Sequence, residues 1–403
     1  MKDCYAKNAK WYGDMTFVSE AGTTLTYAEY DARLGAVAQE LKKIGVRPTR
    51  ILAVGLSDIQ CLCLYGLVGR NGYMASVVSP YLDDAGHRAV FSAFPADLVM
   101  APKEKTEELA EVLGGISGDY QLVDSCTSLM LLGEVALFRA AGYCACHHPL
   151  QDMSFAFLDM VGDNVRVTAM SRRTHLDAVR ALCAELPLNC HDTCVMDLPS
   201  QTLFGNLAWS CVLYRGAHGI RRRDLDFTAS AGSGVTAVFT SSFRERPHGL
   251  QKVFRFLVEP VDGELACETG ESLDRTLIAL GSAVPSFRLH AVAASGSDEP
   301  TSTWTVAPLL GVDPVISVHP TESLPWTDGA GCLLVHTPFD ACVSTLPDDD
   351  TGPANTRTCA GFHGVSFGKH VATGYLARLD LSGRLLVWPA SKVRGSEERR
   401  AER

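Results

Sequence analysis

Two short segments, CACHH (144–148) and CHDTC (190–194), bring cysteine and histidine together, the ligand types zinc prefers. A zinc ribbon or finger needs ligand pairs at a fixed separation. Cys144 and Cys146 are one residue apart and no matching C-x-x-C follows, so the spacing does not fit. The fourteen cysteines are scattered along a chain too long to need stapling, which reads as free thiols in a reducing compartment, with no metal. Positive charge gathers at IRRRDLD (220–226), but the cluster is short and mixed with acids, so it reads as a solvated loop. A third stretch, FAFLDMVGDNVRVTAMSRRTH (155–175), runs from strand through a Gly-containing bend towards a helix. Its residues fit a β-hairpin: FAFLDMV and VRVTAMS are strand-like runs, and Gly162-Asp163-Asn164 are good turn residues.

The elements that must position such groups alternate along the chain. TYAEYDARLGAVAQELKKIG (26–45) is the clearest helix, with Thr26 and Glu29 forming a capping box. Tyr27, Tyr30, Leu34, Val37, Ala38, Leu41 and Ile44 share one face, and Gly45 supplies the stop. Short apolar runs follow, ILAVGL, ASVVSP and ADLVMAP, separated by helices over about 58–70 and 83–94. Such alternation implies a parallel sheet covered on both faces. Near the end, GKHVATGYLARLDLSGRLLVWP (368–389) reads as a hairpin turning at Leu381–Gly383. The expected organisation is an α/β subdomain over 1–150, a second over 151–329, a β-rich subdomain over 330–395 and a charged tail over 396–403.

The chain has 403 residues, 46% apolar and 20% charged, the profile of a globular protein with a large core. A net charge of −10 argues against a nucleic-acid or anionic-membrane surface. No apolar run approaches the roughly 20 residues of a bilayer span. The N-terminus MKDCYAKNAKWYGDM lacks an apolar signal core, so a cytoplasmic location is expected.

The order of LTYAEYDARLGAVAQELKKIGVRP, SVVSPYLDDAGHRAVFSAFPADLVMA, AMSRRTHLDAV and TGYLARLDLSGRLLVW resembles the adenylate-forming superfamily: acyl-CoA synthetases, luciferases and nonribosomal peptide synthetase adenylation domains. The resemblance implies that family's α/β fold for the large N-terminal domain, two doubly wound sheets plus a small β-barrel-like subdomain. It also implies a mobile C-terminal lid domain, yet the chain stops just past the hinge position, WPASKVRG (388–395), so a stand-alone large domain is expected.

The family adenylates a carboxylic acid with ATP, and its phosphate loop reads roughly T-S-G-T-T-G-K-P-K-G. The resemblance puts that loop at LDMVGDNVRVT (158–168). Gly162 survives there, only Arg166 stands near a lost lysine, and Asp159, Asp163 and Asn164 occupy the loop. The aromatic-Gly-x-Thr-Glu motif for adenine and magnesium is matched to Val318-His319-Pro320-Thr321-Glu322, where Val318 replaces the stacking aromatic. The ribose-holding Thr-Gly-Asp becomes Thr373-Gly374-Tyr375. Beside the acyl pocket, P-x-x-H-x-x-G becomes Pro199 to Gly205, with Thr202 in place of the histidine and Phe204 as pocket wall. Ser295-Gly296-Ser297 matches the pocket-wall S-G-G. His319 would face this site as a general base or acyl acceptor, against the plainer reading of a histidine hydrogen-bonded in place. Thr321 and Glu322 read as a vestigial metal site or a structural cap.

Framework positions persist and nucleotide-binding positions do not. The expectation is a non-adenylating homologue with weak or absent ATP and magnesium binding, serving an acyl group, an acyl carrier protein, a CoA thioester or a partner biosynthetic enzyme. One alternative is ATP-independent acyl transfer from a thioester, using His319 or a cysteine. Another is the large subunit of a split ligase.

Overall fold

In this computed structural model the described residues are 2–43, 50–71, 73–79, 82–116, 120–129, 133–140, 154–161, 164–221, 234–241, 250–257, 275–280, 284–293, 303–317, 331–337, 342–346, 366–367, 370–380 and 382–389. Along the first part run α1 (Lys2–Tyr12), β1 (Thr16–Glu20), β2 (Thr23–Thr26), α2 (Tyr27–Lys43), β3 (Arg50–Val54), α3 (Asp58–Asn71), β4 (Met74–Val78), α4 (Asp84–Ala93), β5 (Leu98–Pro102), α5 (Thr106–Ile116), β6 (Tyr120–Leu129) and β7 (Gly133–Ala140). Then come β8 (Phe155–Val161), β9 (Asn164–Met170), α6 (Arg172–Glu185), β10 (Thr193–Met196), α7 (Leu203–Arg215), β11 (His218–Arg221), β12 (Ala237–Thr240), β13 (Lys252–Leu257) and β14 (Arg275–Ile278). Among the described residues the remaining elements are strands: β15 (Phe287–Ala293), β16 (Thr303–Pro308), β17 (Asp313–Ser317), β18 (Gly331–His336), β19 (Cys342–Leu346), β20 (Ser366–Phe367), β21 (His370–Leu379) and β22 (Leu385–Pro389).

Helix α2 forms as its residues dictate. The Thr26 backbone N–H donates to Glu29 Oε2 at 2.9 Å, and the Glu29 N–H donates to Thr26 Oγ1 at 3.2 Å. These reciprocal bonds draw the Glu29 carboxyl below its usual pKa. Tyr27, Tyr30, Leu34, Val37 and Leu41 turn inward together. Helix α7 is apolar almost all round and correspondingly buried, and ends on Gly216 at φ +75°, a left-handed cap that glycine adopts without strain.

Two sheets organise the chain. The first has eight strands in the order β19-β9-β8-β4-β3-β5-β7-β6, with β8, β4, β3 and β5 parallel. The second has fourteen: thirteen follow the path β17-β18-β21-β22-β16-β15-β14-β13-β12-β10-β11-β1-β2, and β20 pairs with β21 off it. Within it β14, β13, β12, β10, β11 and β1 are parallel. From β15 onward the pairing is antiparallel. Membership does not follow sequence blocks: β1 and β2 join the second sheet, while β8, β9 and the late strand β19 join the first.

Period-two alternation explains the layers. Ile51 and Ala53 face one core, Leu52 and Val54 another. The larger core joins residues of both sheets through α2, α3, α6 and α7, which therefore lie between the sheets. Phe17, Tyr27, Tyr30 and Trp209 form its aromatic centre, with Phe17 ring centroids 5.1, 4.8 and 6.3 Å from the other three. Helices α4 and α5 cover the outer face of the first sheet. Among the described residues no helix is long and apolar enough to cross a membrane.

Candidate functional site

The stretch matched to a phosphate loop is a β-hairpin. β8 and β9 pair without interruption from Phe155↔Met170 to Val161↔Asn164. Only residues 162 and 163 separate the last pair; Gly162 and Asp163 lie outside the described residues. The far edge of β9 is covered by β19, from Cys342↔Ala169 to Leu346↔Val165. Backbone N–H groups of Val165 to Ala169 therefore face one neighbouring strand or the other, and none is left pointing at a ligand. Asp159 and Arg166 are a directly opposed pair, and Arg166 Nη2 donates to Asp159 Oδ2 at 3.2 Å. Arg166, the residue matched to the lost lysine, is thus paired within the hairpin. A triphosphate needs free N–H donors and an uncommitted cation, and these residues do not fit that need.

A second group gathers at the carboxyl ends of the parallel strands, where open α/β sheets bind ligands. Thr202 caps α7: its Oγ1 accepts from the Gly205 N–H at 3.1 Å and donates to the Pro199 carbonyl at 2.8 Å. Gly205 lies so close to this turn that an ideal Cβ would sit 1.8 Å from the Pro199 carbonyl oxygen. Phe204 packs edge-on against Phe256 with centroids 6.1 Å apart. These three residues start the helix and line its packing.

Beneath the turn, the Ser200 N–H donates to Asp58 Oδ1 at 2.9 Å. Asp58 Oδ2 pairs with Arg221 Nε at 2.7 Å, and Arg221 also donates to the Leu198 carbonyl at 3.1 Å. The N–H groups of Asp58 and Ile59, at the start of α3, donate to the two oxygens of Glu20 at 3.0 and 2.8 Å. The anion-binding end of α3 is therefore filled from within the chain. On the neighbouring strands Thr240 Oγ1 donates to Asp197 Oδ2 at 2.9 Å. Ile220 and Arg221 depart from the reading of 220–226 as a solvated loop: they end β11, and the Arg221 side chain, paired with Asp58, is only 13% exposed, while residues 222–226 lie outside the described residues.

Tyr375 stands on β21, 5% exposed, its ring 5.7 Å from Trp304. Thr373 Oγ1 donates to the Leu333 carbonyl and accepts from the Tyr375 N–H. The position matched to a ribose-binding aspartate is thus a buried aromatic ring packed on Trp304. Val318, His319, Thr321 and Glu322, and likewise Ser295, Gly296 and Ser297, lie outside the described residues. Strand β15, which precedes the latter three, runs antiparallel to β14. Its carboxyl end therefore leaves the sheet at the edge opposite that of β10, β12, β13 and β14.

Sequence reasoning passed over His175. This α6 residue is fully buried, stacked on Phe155 at 4.2 Å, and its Nε2 meets Asn206 Oδ1 at 2.7 Å. Burial outweighs that hydrogen bond and lowers its pKa to about 4, so the ring is neutral. The only sequence signal is a polar residue on the inward face of each of two adjacent helices. Burial also raises the thiols of Cys61, Cys63, Cys194 and Cys211 far above their usual range, so none of these is a ready nucleophile. Between Cys190 and Cys194, Asp192 is taken by Lys252, whose Nζ lies 2.8 and 2.7 Å from the two carboxylate oxygens. Among the described residues no group of three or more His, Cys, Asp or Glu side chains is placed to hold a metal.

No protein-family model matches the sequence, and no curated protein matches it. Solved structures do. Apo MatB from Rhodopseudomonas palustris superposes with a TM-score of 0.65 at 16% identity, covering 96% of this chain and 78% of that one. VinN in complex with L-aspartate gives 0.65 at 17% identity, over 95% of this chain and 97% of that one. The o-succinylbenzoate CoA synthetase MenE from Bacillus subtilis, in complex with its acyl-adenylate intermediate OSB-AMP, gives 0.62 at 13% identity, over 96% and 98%. At such identities the likeness is one of architecture. The chain has the fold of the adenylate-forming acyl-CoA synthetases.

Proposed function

We propose that this protein is a non-adenylating relative of the AMP-forming ligases, which uses their large-domain fold to hold an acyl group, a carrier protein or a partner enzyme in a biosynthetic pathway. The observation that carries this reading is the continuous β8–β9 ladder closing at Val161↔Asn164, with Arg166 bound to Asp159. Withdrawing about three charge-assisted hydrogen bonds of about 1.5–3 kcal/mol each would weaken a nucleotide by several orders of magnitude. Glu20 on the α3 N-terminus and Tyr375 against Trp304 act in the same direction, since each fills space or donors that a polar ligand would need. ATP and magnesium are accordingly not its cofactors, and a CoA thioester or carrier-bound acyl group remains compatible. Pyrophosphate exchange with a panel of carboxylic acids tests the reading: no exchange is expected, and exchange with any acid refutes it. A thermal-shift series with acyl-CoAs and acyl carrier proteins then identifies what is bound.

A further inference from the structure

Helices α4 and α5 cover the outer face of the first sheet, and a titratable ring is buried in that layer. His87 shares the inward face of α4 with Val90, Phe91 and Ala93 and is 3% exposed. Its Nε2 is buried and meets no hydrogen-bond partner. A neutral imidazole can keep that nitrogen as a bare acceptor. An imidazolium turns it into a charged donor with nothing to receive it.

The surroundings relieve such a charge only in part. Beneath α4 the layer is apolar: Val165, Val167 and Ala169 of β9 belong to one cluster with Val90 and Phe91. His87 comes four residues after the N-cap Asp83, where the helix dipole opposes a cation. On the same helix, Asp83 Oδ1 is already held by the Gly86 N–H at 2.7 Å, and the exposed Arg88 reaches back to the Asp84 carbonyl at 3.3 Å. Across on α5, Glu108 is paired with Lys105 at 2.6 Å. Burial is the largest influence on the ring and lowers its pKa. Glu108, Asp84 and Asp83 pull the other way, and Lys105 adds to the lowering.

We propose that His87 makes the α4–α5 layer an acid-sensitive cover: when the ring takes up a second proton from solvent, the layer lifts and bares the apolar face of Leu52, Val54, Val99, Ala101 and Val167. The folded value lies below the ordinary 6.5, so the cover is fully held above pH 6.5 and loses its hold as pH falls through the folded value. The device is independent of what the fold binds and of the non-adenylating reading. Hydrogen exchange of the full chain at pH 7.5 and 5.5, each rate divided by its intrinsic chemical rate, measures the opening. Ordinary carboxylates stay ionised across that range. The opening constant of α4 and α5 is expected to rise about three- to tenfold, tenfold being roughly the ceiling that an unfolded pKa of about 6.5 allows. His87→Gln keeps a polar side chain that does not titrate, and His87→Leu puts an apolar one in its place. In each, the ratio between the two pH values in these helices should fall close to one. An unchanged opening constant in the parent, or the parent's rise retained in either folded variant, would overturn the proposal.

Discussion

Arg166 faces Asp159 across the β8–β9 hairpin, Nη2 to Oδ2 at 3.2 Å, within the stretch that the resemblance matches to a phosphate loop. The side chains are 24% and 36% exposed, so water screens the pair and its worth is modest. Asp159→Ala should therefore change stability by no more than about 1 kcal/mol. It should also leave Mg-ATP unbound, because the backbone donors stay in the ladder. Urea denaturation and calorimetry on one preparation check both halves.

Asp58 and Arg221 make a pair of a different kind, buried and joining α3 to β11. Removing one partner leaves a charge without compensation. Asp58→Ala or Arg221→Ala should each cost about 3–5 kcal/mol. The double variant should cost less than the sum of the two, which a double-mutant cycle in urea measures directly.

His175 gives a pH dependence with a definite sign. Its folded pKa is about 4, below the ordinary 6.5, so the unfolded chain binds the extra proton between these values. The contribution is fully present above pH 6.5 and is lost as pH falls towards 4, about 3 kcal/mol in all. Carboxylates act in the same direction, so the comparison must be with a variant. In His175→Phe, the fall in urea-derived stability between pH 7 and pH 4.5 should be shallower than in the parent.

Tyr375→Asp recreates the Thr-Gly-Asp sequence of a nucleotide-binding ligase. Here it would set a carboxylate beside Trp304 at a position 5% exposed. The variant should lose about 3 kcal/mol or more of stability and gain no affinity for ATP. A stable, ATP-binding Tyr375→Asp protein would mean that this position still borders a working ribose site.

Local chemistry made some elements legible and long-range pairing hid others. The capping box of α2 and the β21–β22 hairpin are written in contiguous residues, and the structure forms both. The run KVFRFL (252–257) carries Lys252 and Arg255 among β-forming residues, which hides that every residue of β13 is buried. Lys252 can lie there only because Asp192, sixty positions earlier, receives it. Arg221 was unreadable for the same reason, its partner Asp58 being on another element. In the candidate site, the pairing of β8 with β9 followed from residue type. Glu20 filling the α3 N-terminus depended on a contact 38 residues away that no local pattern announces.

The hairpin in place of a phosphate loop is the centre of this account, and Mg-ATP titration by calorimetry tests it most directly. No heat of binding is expected up to millimolar nucleotide. A saturable isotherm with micromolar Kd would contradict it and return residues 158–168 to the role of a phosphate cradle.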